Sequence, residues 1–209
     1  NGLYQKIWNE WKLPVITMSD CKITGWLDKN NISYVKPYCL NNFAEYLIVQ
    51  DFYGNIRAKR SGVFYMNHID EGLKILELIG ASEDAELAFC LHPIVQNDKD
   101  LYNTLYVPNY KWSINDLTTP HTLITAMEYR SVANDYLSFK TINSIDEIRL
   151  SPLKDVNDML IADKVQNYKD FLKYLAATHP RSKELNQYFL NWLERLKVNN
   201  YLELMEEIE

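Results

Sequence analysis

A chain of 209 residues with 47% hydrophobic and 24% charged residues has enough apolar material for one domain with a full core. With six glycines and seven prolines, the composition disfavours a turn-rich β-sandwich and suits long helices. A net charge of −6 argues against nucleic acid as the main partner, because proteins that bind duplexes usually carry a basic face.

Localisation is predicted from hydropathy and cysteine usage. No run of about 18 apolar residues occurs, which predicts a protein without a membrane span, and no secretory signal is found at the start. Cys21, Cys39 and Cys90 form no CxxC pair. We therefore expect a reducing, cytoplasmic setting in which these thiols are simply packed.

The first forty residues are the least regular part of the chain. Trp8 and Trp11 stand close to Pro14, and the stretch that follows alternates only in part. We expect an N-terminal elaboration, residues 1–40, that packs on a main domain, residues 41–209. Its aromatic residues more often fill a core than bind a partner.

Apolar residues at helical spacing run through the main domain and predict an all-α helical bundle. The predicted helices are 41–55, 68–78, a helix capped by Ser82, 98–105, 119–137, 155–177 and 182–198, with a short helical turn within 144–150. Asn67 and Pro120 suit the first positions of two of them. The acidic tail is expected to end the last helix or to fray.

Three of these helices contain side chains suited to metal binding. His68 opens one helix, and His92 lies on the apolar stripe of the next, followed directly by Pro93, which should kink that helix. Asp163 follows three apolar residues in a later helix, where a lone acid is costly unless it is paired or bound to metal. Histidine and carboxylate ligands of this kind hold divalent cations that activate water against phosphates.

A basic cluster precedes the first of these histidines. Arg57, Lys59 and Arg60 lie within a few residues ahead of His68. A phosphate-bearing ligand needs such charges beside a metal site. The same cluster is equally compatible with a solvated loop. A third histidine, His121, is expected to be exposed or to cap its helix.

The order of these motifs resembles the HD superfamily, and within it the alarmone (ppGpp) hydrolases of the RelA/SpoT and small alarmone hydrolase type. That family has a basic-basic-Ser-Gly-x-x-Tyr-x-x-His motif, then His-Asp-x-x-Glu-Asp, then Leu-Ala-Asp-Lys-x-x-Asn. The corresponding stretches here are KRSGVFYMNH from Lys59, HPIVQN from His92 and IADKVQN from Ile161. The resemblance covers about residues 41–175 and implies an HD-like helical fold.

The resemblance also implies roles for individual residues. A divalent metal, with manganese expected if the site is occupied, and a nucleotide or another phosphate-bearing small molecule would be bound. The implied metal ligands are His68, His92 and Asp163, and the implied ligand-binding residues are Lys59, Arg60 and Asn167.

The second motif departs from the family pattern where catalysis takes place. Pro93 stands where the family has an aspartate ligand, and Gln96 and Asn97 replace the catalytic Glu-Asp pair. Asp98, one residue further on, could substitute if the helix kinks at Pro93. The losses weaken metal binding and remove the residues that would activate water.

Three interpretations follow. The favoured one is a degenerate HD-domain protein that binds a nucleotide or a related phosphate with little or no hydrolysis. The second is an active metal-dependent nucleotide phosphohydrolase with a rearranged metal shell. The third is a non-catalytic scaffold that needs no metal and binds a protein partner, and the sequence also resembles HD-like proteins of bacterial viruses.

Overall fold

The computed structural model describes residues 43–107 and 118–209, which fall in one unit of the chain, Leu40–Glu209. The predicted N-terminal elaboration, residues 1–40, lies outside the described residues, as does most of the loop predicted after the 98–105 helix. The same holds for Cys21 and Cys39. Cys90 is a buried free thiol, as predicted.

Eight α-helices make up most of the described residues and confirm the all-α prediction. A 3₁₀ turn at Ile145–Glu147 and a π-helical turn at Phe171–Leu175 lie between them, and the described residues contain one isolated β-bridge but no strand. The helices are α1 (Ala44–Tyr53), α2 (Met66–Leu78), α3 (Glu83–Gln96), α4 (Asp98–Tyr106), α5 (Pro120–Asp135), α6 (Lys154–Asp170), α7 (Ser182–Arg195) and α8 (Tyr201–Glu207).

Short polar side chains define three of the helix starts. Ser82, Asn97 and Thr119 each accept a hydrogen bond from the backbone N–H three residues later, at 2.9 to 3.1 Å. Pro120 occupies the first turn of α5, as its missing N–H allows. The predicted cap at Asn67 is wrong, because α2 starts one residue earlier and Asn67 lies inside the helix.

Two helices end at other residues than the apolar periodicity predicts. α6 ends at Asp170 and widens into the π-helical turn, where the sequence predicted one helix to residue 177. α7 ends at Arg195, and Lys197 adopts a left-handed φ of 59°, which turns the chain. The acidic tail therefore forms a separate short helix, α8, rather than prolonging α7.

The two central helices, α3 and α6, contain His92 and Asp163 of the candidate site. α3 packs against α1, α2, α4, α5 and α6, and α6 packs against α2, α3, α5, α7 and α8. Residues 88–95 of α3 are all buried, including Pro93, and α3 continues past that proline to Gln96. His92 and Asp163 are thus held in the best-packed part of the fold. None of the described helices has the length and apolar character that crossing a bilayer requires.

Candidate metal site and adjoining cavity

Three side chains from three helices converge on one point. His68 lies in the first turn of α2, His92 in the second half of α3 and Asp163 near the middle of α6. The Nε2 atoms of the two imidazoles are 3.1 Å apart, and Oδ1 of Asp163 lies 3.5 Å from Nε2 of His68. Ligand atoms of all three lie within 4.8 Å of one another, so the cluster could hold a metal ion.

His92 is held as a neutral imidazole whose Nε2 faces the cluster. Its Nδ1 lies 2.5 Å from the backbone oxygen of Phe89, and a carbonyl oxygen only accepts, so Nδ1 carries the hydrogen. Burial, together with the neighbouring His68, lowers the pKa of His92 to about 3. Its Nε2 lone pair is therefore available at neutral pH.

His68 is oriented by a polar network on α6. Its Nδ1 lies 2.6 Å from Oε1 of Gln166. The amide nitrogen of Gln166 donates to carboxylates of Glu71 and Asp170, at 2.9 Å each, so the oxygen of this amide faces the imidazole and accepts. Lys169 donates to Glu71 at 2.6 Å and completes the network. In neutral His68 the proton lies on Nδ1, and Nε2 presents a lone pair.

The two imidazoles therefore turn lone pairs toward each other, beside a carboxylate oxygen. Three electron-rich atoms at 3.1 and 3.5 Å repel one another unless a proton or a cation lies among them. Ligand atoms about 2.0–2.2 Å from one tetrahedral ion would stand about 3.3–3.6 Å apart. The observed spacing fits a single shared ion, and the donor set is one that binds divalent cations.

Asp163 is a buried carboxylate with fixed partners. Lys164 lies 2.7 Å from its Oδ2, and Asn167 donates to its Oδ1 at 2.8 Å. Burial alone would raise the pKa of Asp163, but Lys164 and the two imidazoles outweigh it and lower the pKa to about 2. The Lys164 ammonium also lies 5.1 Å from the ring of Trp192 and 5.6 Å from that of Tyr188.

Aromatic rings pack against the two imidazoles. The ring of Phe89 lies 4.6 Å from that of His92 and 5.6 Å from that of His68, and Tyr129 lies 5.0 Å from His92. Gly72 makes room for Phe89, because a Cβ at position 72 would lie 2.2 Å from a ring carbon. The orientation of the two histidines thus depends on close packing between α2 and α3.

A cavity of about 790 Å³ opens from the cluster. Its volume is within the range of small-molecule sites. The two histidines, Asp163 and Lys164 are part of its wall. Aromatic rings and amides form much of the rest: Phe52, Tyr53, Phe64, Tyr65, Gln96, Asn97 and Asn167.

The structure leaves the predicted basic residues at the rim. Lys59 and Arg60 are exposed on the turn between α1 and α2, and they do not line the cavity, although Ala58 and Ser61 beside them do. Arg57 holds this turn, because its guanidinium donates to the oxygen of Gly62 at 2.8 Å and stacks 3.4 Å from the ring centre of Phe64.

The structure does not bring Asp98 to the cluster. Its side chain is 94% exposed, forms an ion pair with Arg130 and does not line the cavity. Gln96 lines the cavity, and its amide nitrogen donates to Asn134 at 3.1 Å. His121 is exposed, as predicted, and lies 3.6 Å from a carboxylate oxygen of Asp84.

Sequence reasoning missed several polar residues of the site. Lys164 and Gln166 lie inside the IADKVQN motif, and Gln166 follows Asp163 by three residues, so helical spacing could have placed it on the same face. Asp100 and Asp170 line the cavity, and no sequence signal distinguishes them from other acids near helix ends.

No family model, no curated protein and no solved structure matches this chain. The structure by itself supports an all-α fold and a cluster of His68, His92 and Asp163 that could hold a metal ion. Function therefore has to be argued from the geometry of this cluster and of its cavity.

Proposed function

We propose that the protein is an HD-domain-like binding protein that holds a divalent cation at His68, His92 and Asp163. The cation and the cavity beside it bind a nucleotide or a similar phosphate-bearing ligand, with little or no hydrolysis. One observation carries the proposal: two imidazole lone pairs and a carboxylate oxygen face each other at the inner wall of a cavity of about 790 Å³. The motif order that resembles the HD superfamily agrees with it.

The charge at the metal cluster itself favours an anionic ligand. With neutral imidazoles, the single negative charge of Asp163 is already matched by Lys164. A divalent cation would add two positive charges at a buried wall, where electrostatic interactions are strong. Phosphate oxygens are suited to neutralise them, and a bound cation would polarise the phosphate. Lys59 and Arg60, exposed near the rim, would attract such a ligand toward the opening.

The aromatic part of the cavity wall suits a planar base. Tyr53 lies between two other rings, with centres 5.6 Å from Phe52 and 5.2 Å from Tyr65. Aromatic faces stack on nucleobases with little preference for the base, and amides can contact base edges. Asn97 and Asn167 offer such amides in the cavity. This combination supports a nucleotide over inorganic phosphate.

The absence of an acid beside His92 argues for slow chemistry. Pro93, Gln96 and Asn97 line the cavity at the three positions where the family motif has its acids, and none of them can take a proton from water at neutral pH. Asp98, the substitute considered from the sequence, is directed to Arg130 instead. Water at the site would therefore find no general base at these three positions.

A second function, active phosphohydrolysis, is favoured by one specific observation. The carboxylates of Asp100 and Asp170 line the cavity, and either could orient a water molecule. Asp170 accepts from Gln166 and forms an ion pair with Lys169, and Asp100 accepts from Asn97 at 2.5 Å, so both carboxylates already have partners within the protein. The proposal commits to a divalent cation, and manganese is the identity that the family resemblance favours.

Binding and turnover separate the two functions. The purified chain is titrated by calorimetry with a panel of nucleotides that includes ppGpp, with metal and after chelation, and phosphate release is measured in parallel. We expect binding that requires metal, is lost in His68→Ala and Asp163→Ala, and gives no release. Lys183→Ala, an exposed change on α7, is the control and should bind normally.

Other outcomes contradict the proposal in distinct ways. Phosphate release that vanishes in Asp163→Ala, and also in Asp100→Asn or Asp170→Asn, identifies an active enzyme. A chain that binds neither metal nor nucleotide, but holds a protein partner tightly, supports the scaffold interpretation. If chelation does not change nucleotide binding, the nucleotide binds without a cation, which contradicts the proposed role of the metal.

A further inference from the structure

We infer that the metal centre is a three-ligand, four-coordinate site that selects Zn²⁺ or a similar late transition ion over Mn²⁺ and Mg²⁺. Its fourth position faces the cavity and takes an exchangeable water or an anionic oxygen of the ligand. The inference rests on the metal site of the proposed function and concerns the identity and coordination number of the ion.

The first argument is the number of donors. Asp163 presents Oδ1 to the histidines, while Lys164 holds its Oδ2 at 2.7 Å. The carboxylate can therefore give one atom to a metal, not two. With one nitrogen each from His68 and His92, the protein supplies three donor atoms. Sites that combine three protein ligands with one open position are typical of zinc.

Within the residues that the structure describes, no second carboxylate reaches this cluster as a fourth ligand. The cluster of possible ligands contains the two histidines and Asp163 alone. Pro93, next to His92 in the cavity wall, has no donor atom. Glu71, behind His68, accepts from Lys169 and Gln166 and does not line the cavity. A cation that needs many oxygen ligands would have to keep most of its water.

The second argument is donor type. Two of the three donors are imidazole nitrogens, which suit zinc, copper, iron and nickel, whereas manganese and magnesium prefer carboxylates and water. The one carboxylate, Asp163, is already neutralised by Lys164. The site therefore offers a hard cation little net negative charge. An ion that gains most from nitrogen donation binds best here.

The third argument is preorganisation. The Nδ1 hydrogen of His92 is held by the Phe89 carbonyl, and that of His68 by Gln166. Hydrogen bonds from the far nitrogen fix the tautomer and the ring direction of metal-binding histidines, and they make the near nitrogen a better donor. Both imidazoles have this support, so the pair is built for a metal rather than for one shared proton.

Cobalt spectroscopy tests the coordination number directly. The full chain is stripped with a chelator and titrated with Co²⁺, whose visible absorption is intense when four-coordinate and weak when six-coordinate. We expect intense bands, one cobalt per chain, full displacement by stoichiometric Zn²⁺ and no displacement by equimolar Mn²⁺. The His92→Ala variant should lose the bands.

The outcomes distinguish failure of this inference from failure of the proposed function. Weak six-coordinate bands, or displacement of cobalt by equimolar Mn²⁺, overturn the inference while a metal-dependent nucleotide site still stands. A chain that takes up no cobalt overturns the metal site and both proposals. Intense bands lost in His92→Ala support the inference even if no nucleotide binds.

Position 93 provides a matched pair of variants. Pro93→Asp would add a carboxylate beside His92 in the cavity wall. Pro93→Ala removes the same proline without adding a metal-donor atom. We expect Mn²⁺ affinity in Pro93→Asp to exceed that in Pro93→Ala by about tenfold or more, with weaker cobalt bands. Pro93→Ala should keep intense bands. Weak bands in Pro93→Ala would overturn the inference, also where Pro93→Asp fails to fold.

Discussion

The inner wall and the rim of the cavity are built on different principles. At the inner wall, buried polar groups of α2, α3 and α6 hold one another at fixed distances, as the Asp163–Lys164 pair and the His68–Gln166 bond illustrate. At the rim, the turn between α1 and α2 is mostly exposed, and Arg57 holds it through Gly62 and Phe64. Buried contacts therefore position the wall, whereas most of the rim is exposed to solvent.

This contrast separates stability from affinity. A change at the inner wall removes a partner from a buried charge or a packed ring, so both the free energy of unfolding and metal binding should suffer. A change at the rim removes an exposed charge, so stability should hardly change while ligand capture weakens. We therefore expect the largest losses of stability at the inner wall and the smallest at the rim.

The largest effect is expected for Lys164→Met in the metal-free protein. The substitution leaves the Asp163 carboxylate buried with Asn167 but without its cation. Breaking a buried pair in this way typically costs about 3–5 kcal/mol of unfolding free energy. Urea denaturation measures the loss, and adding Zn²⁺ should recover part of it, because the metal supplies positive charge to the same carboxylate.

Lys154→Met is the matched control on the same helix. Lys154 lies 2.5 Å from a carboxylate oxygen of Asp158, but its side chain is 74% exposed. The carboxylate of Asp158 is only 8% exposed, but water solvates the ammonium, so this ion pair should contribute about 1 kcal/mol or less. Equal losses for the two lysine variants would contradict the view that burial makes the inner wall costly to alter.

A smaller loss is expected for Gly72→Ala. The added Cβ would lie 2.2 Å from a ring carbon of Phe89, so the ring must move, and with it the packing beneath His68 and His92. Overpacking of this kind typically costs about 1–3 kcal/mol. Metal affinity should fall together with stability. Denaturation and cobalt titration measure the two effects.

A double variant tests the assigned cause. Phe89→Leu removes the ring that the new methyl group would strike. The loss in Gly72→Ala/Phe89→Leu should therefore be smaller than the sum of the two single losses. Strict additivity would show that Gly72 acts through its backbone and not through Phe89.

How far the sequence predicts this fold depends on the kind of signal. Apolar periodicity, the cap at Ser82 and the proline at position 120 predict helices locally, and the structure confirms them. The break of α7 from α8 depends on one left-handed residue, Lys197, whose conformation has no composition signal. The Asn67 cap failed because the turn around Tyr65 continues directly into the helix.

Part of the candidate site was predictable from the order of motifs and not from apolar periodicity. His68 and Asp163 are 95 positions apart (163 − 68), and spacing along the chain cannot predict that their side chains meet. The order of motifs suggested it, and the structure brings the two together with His92. The roles of Lys164 and Gln166 depend on how α6 is rotated against α2, which only tertiary packing determines. Asp98 lies in the exposed first turn of α4, so nearness in sequence to His92 was misleading.

The dependence of stability on pH should reveal the buried His92. In the unfolded chain its pKa is near 6.5, and in the folded metal-free chain burial lowers the pKa to about 3. Between these values the unfolded state binds more protons, so stability is lost as the pH falls below about 6.5. The slope for this one group is on the order of 1 kcal/mol per pH unit.

Comparison with His92→Gln isolates this contribution. The variant lacks the titrating group and should lose less stability than the unmodified chain between about pH 6.5 and pH 4.5, as urea midpoints measure. Asp163 hardly interferes in that range, because its pKa is about 2 when folded and 3.8 otherwise. Identical pH slopes for the two proteins would show that His92 is not buried as a neutral group.

The smallest effect on stability is expected at the rim, for Arg60→Ala. Arg60 is exposed and does not line the cavity, so the unfolding free energy should change by less than about 0.5 kcal/mol. Nucleotide affinity should nevertheless fall a few-fold at low ionic strength, since long-range attraction of the ligand is lost, and the difference should shrink in about 1 M salt because screening shortens its range. Calorimetric titration at the two salt concentrations measures it, with Lys183→Ala as the exposed control. A loss of affinity that is independent of salt would mean that Arg60 contacts the ligand directly, and would make the rim part of the binding wall.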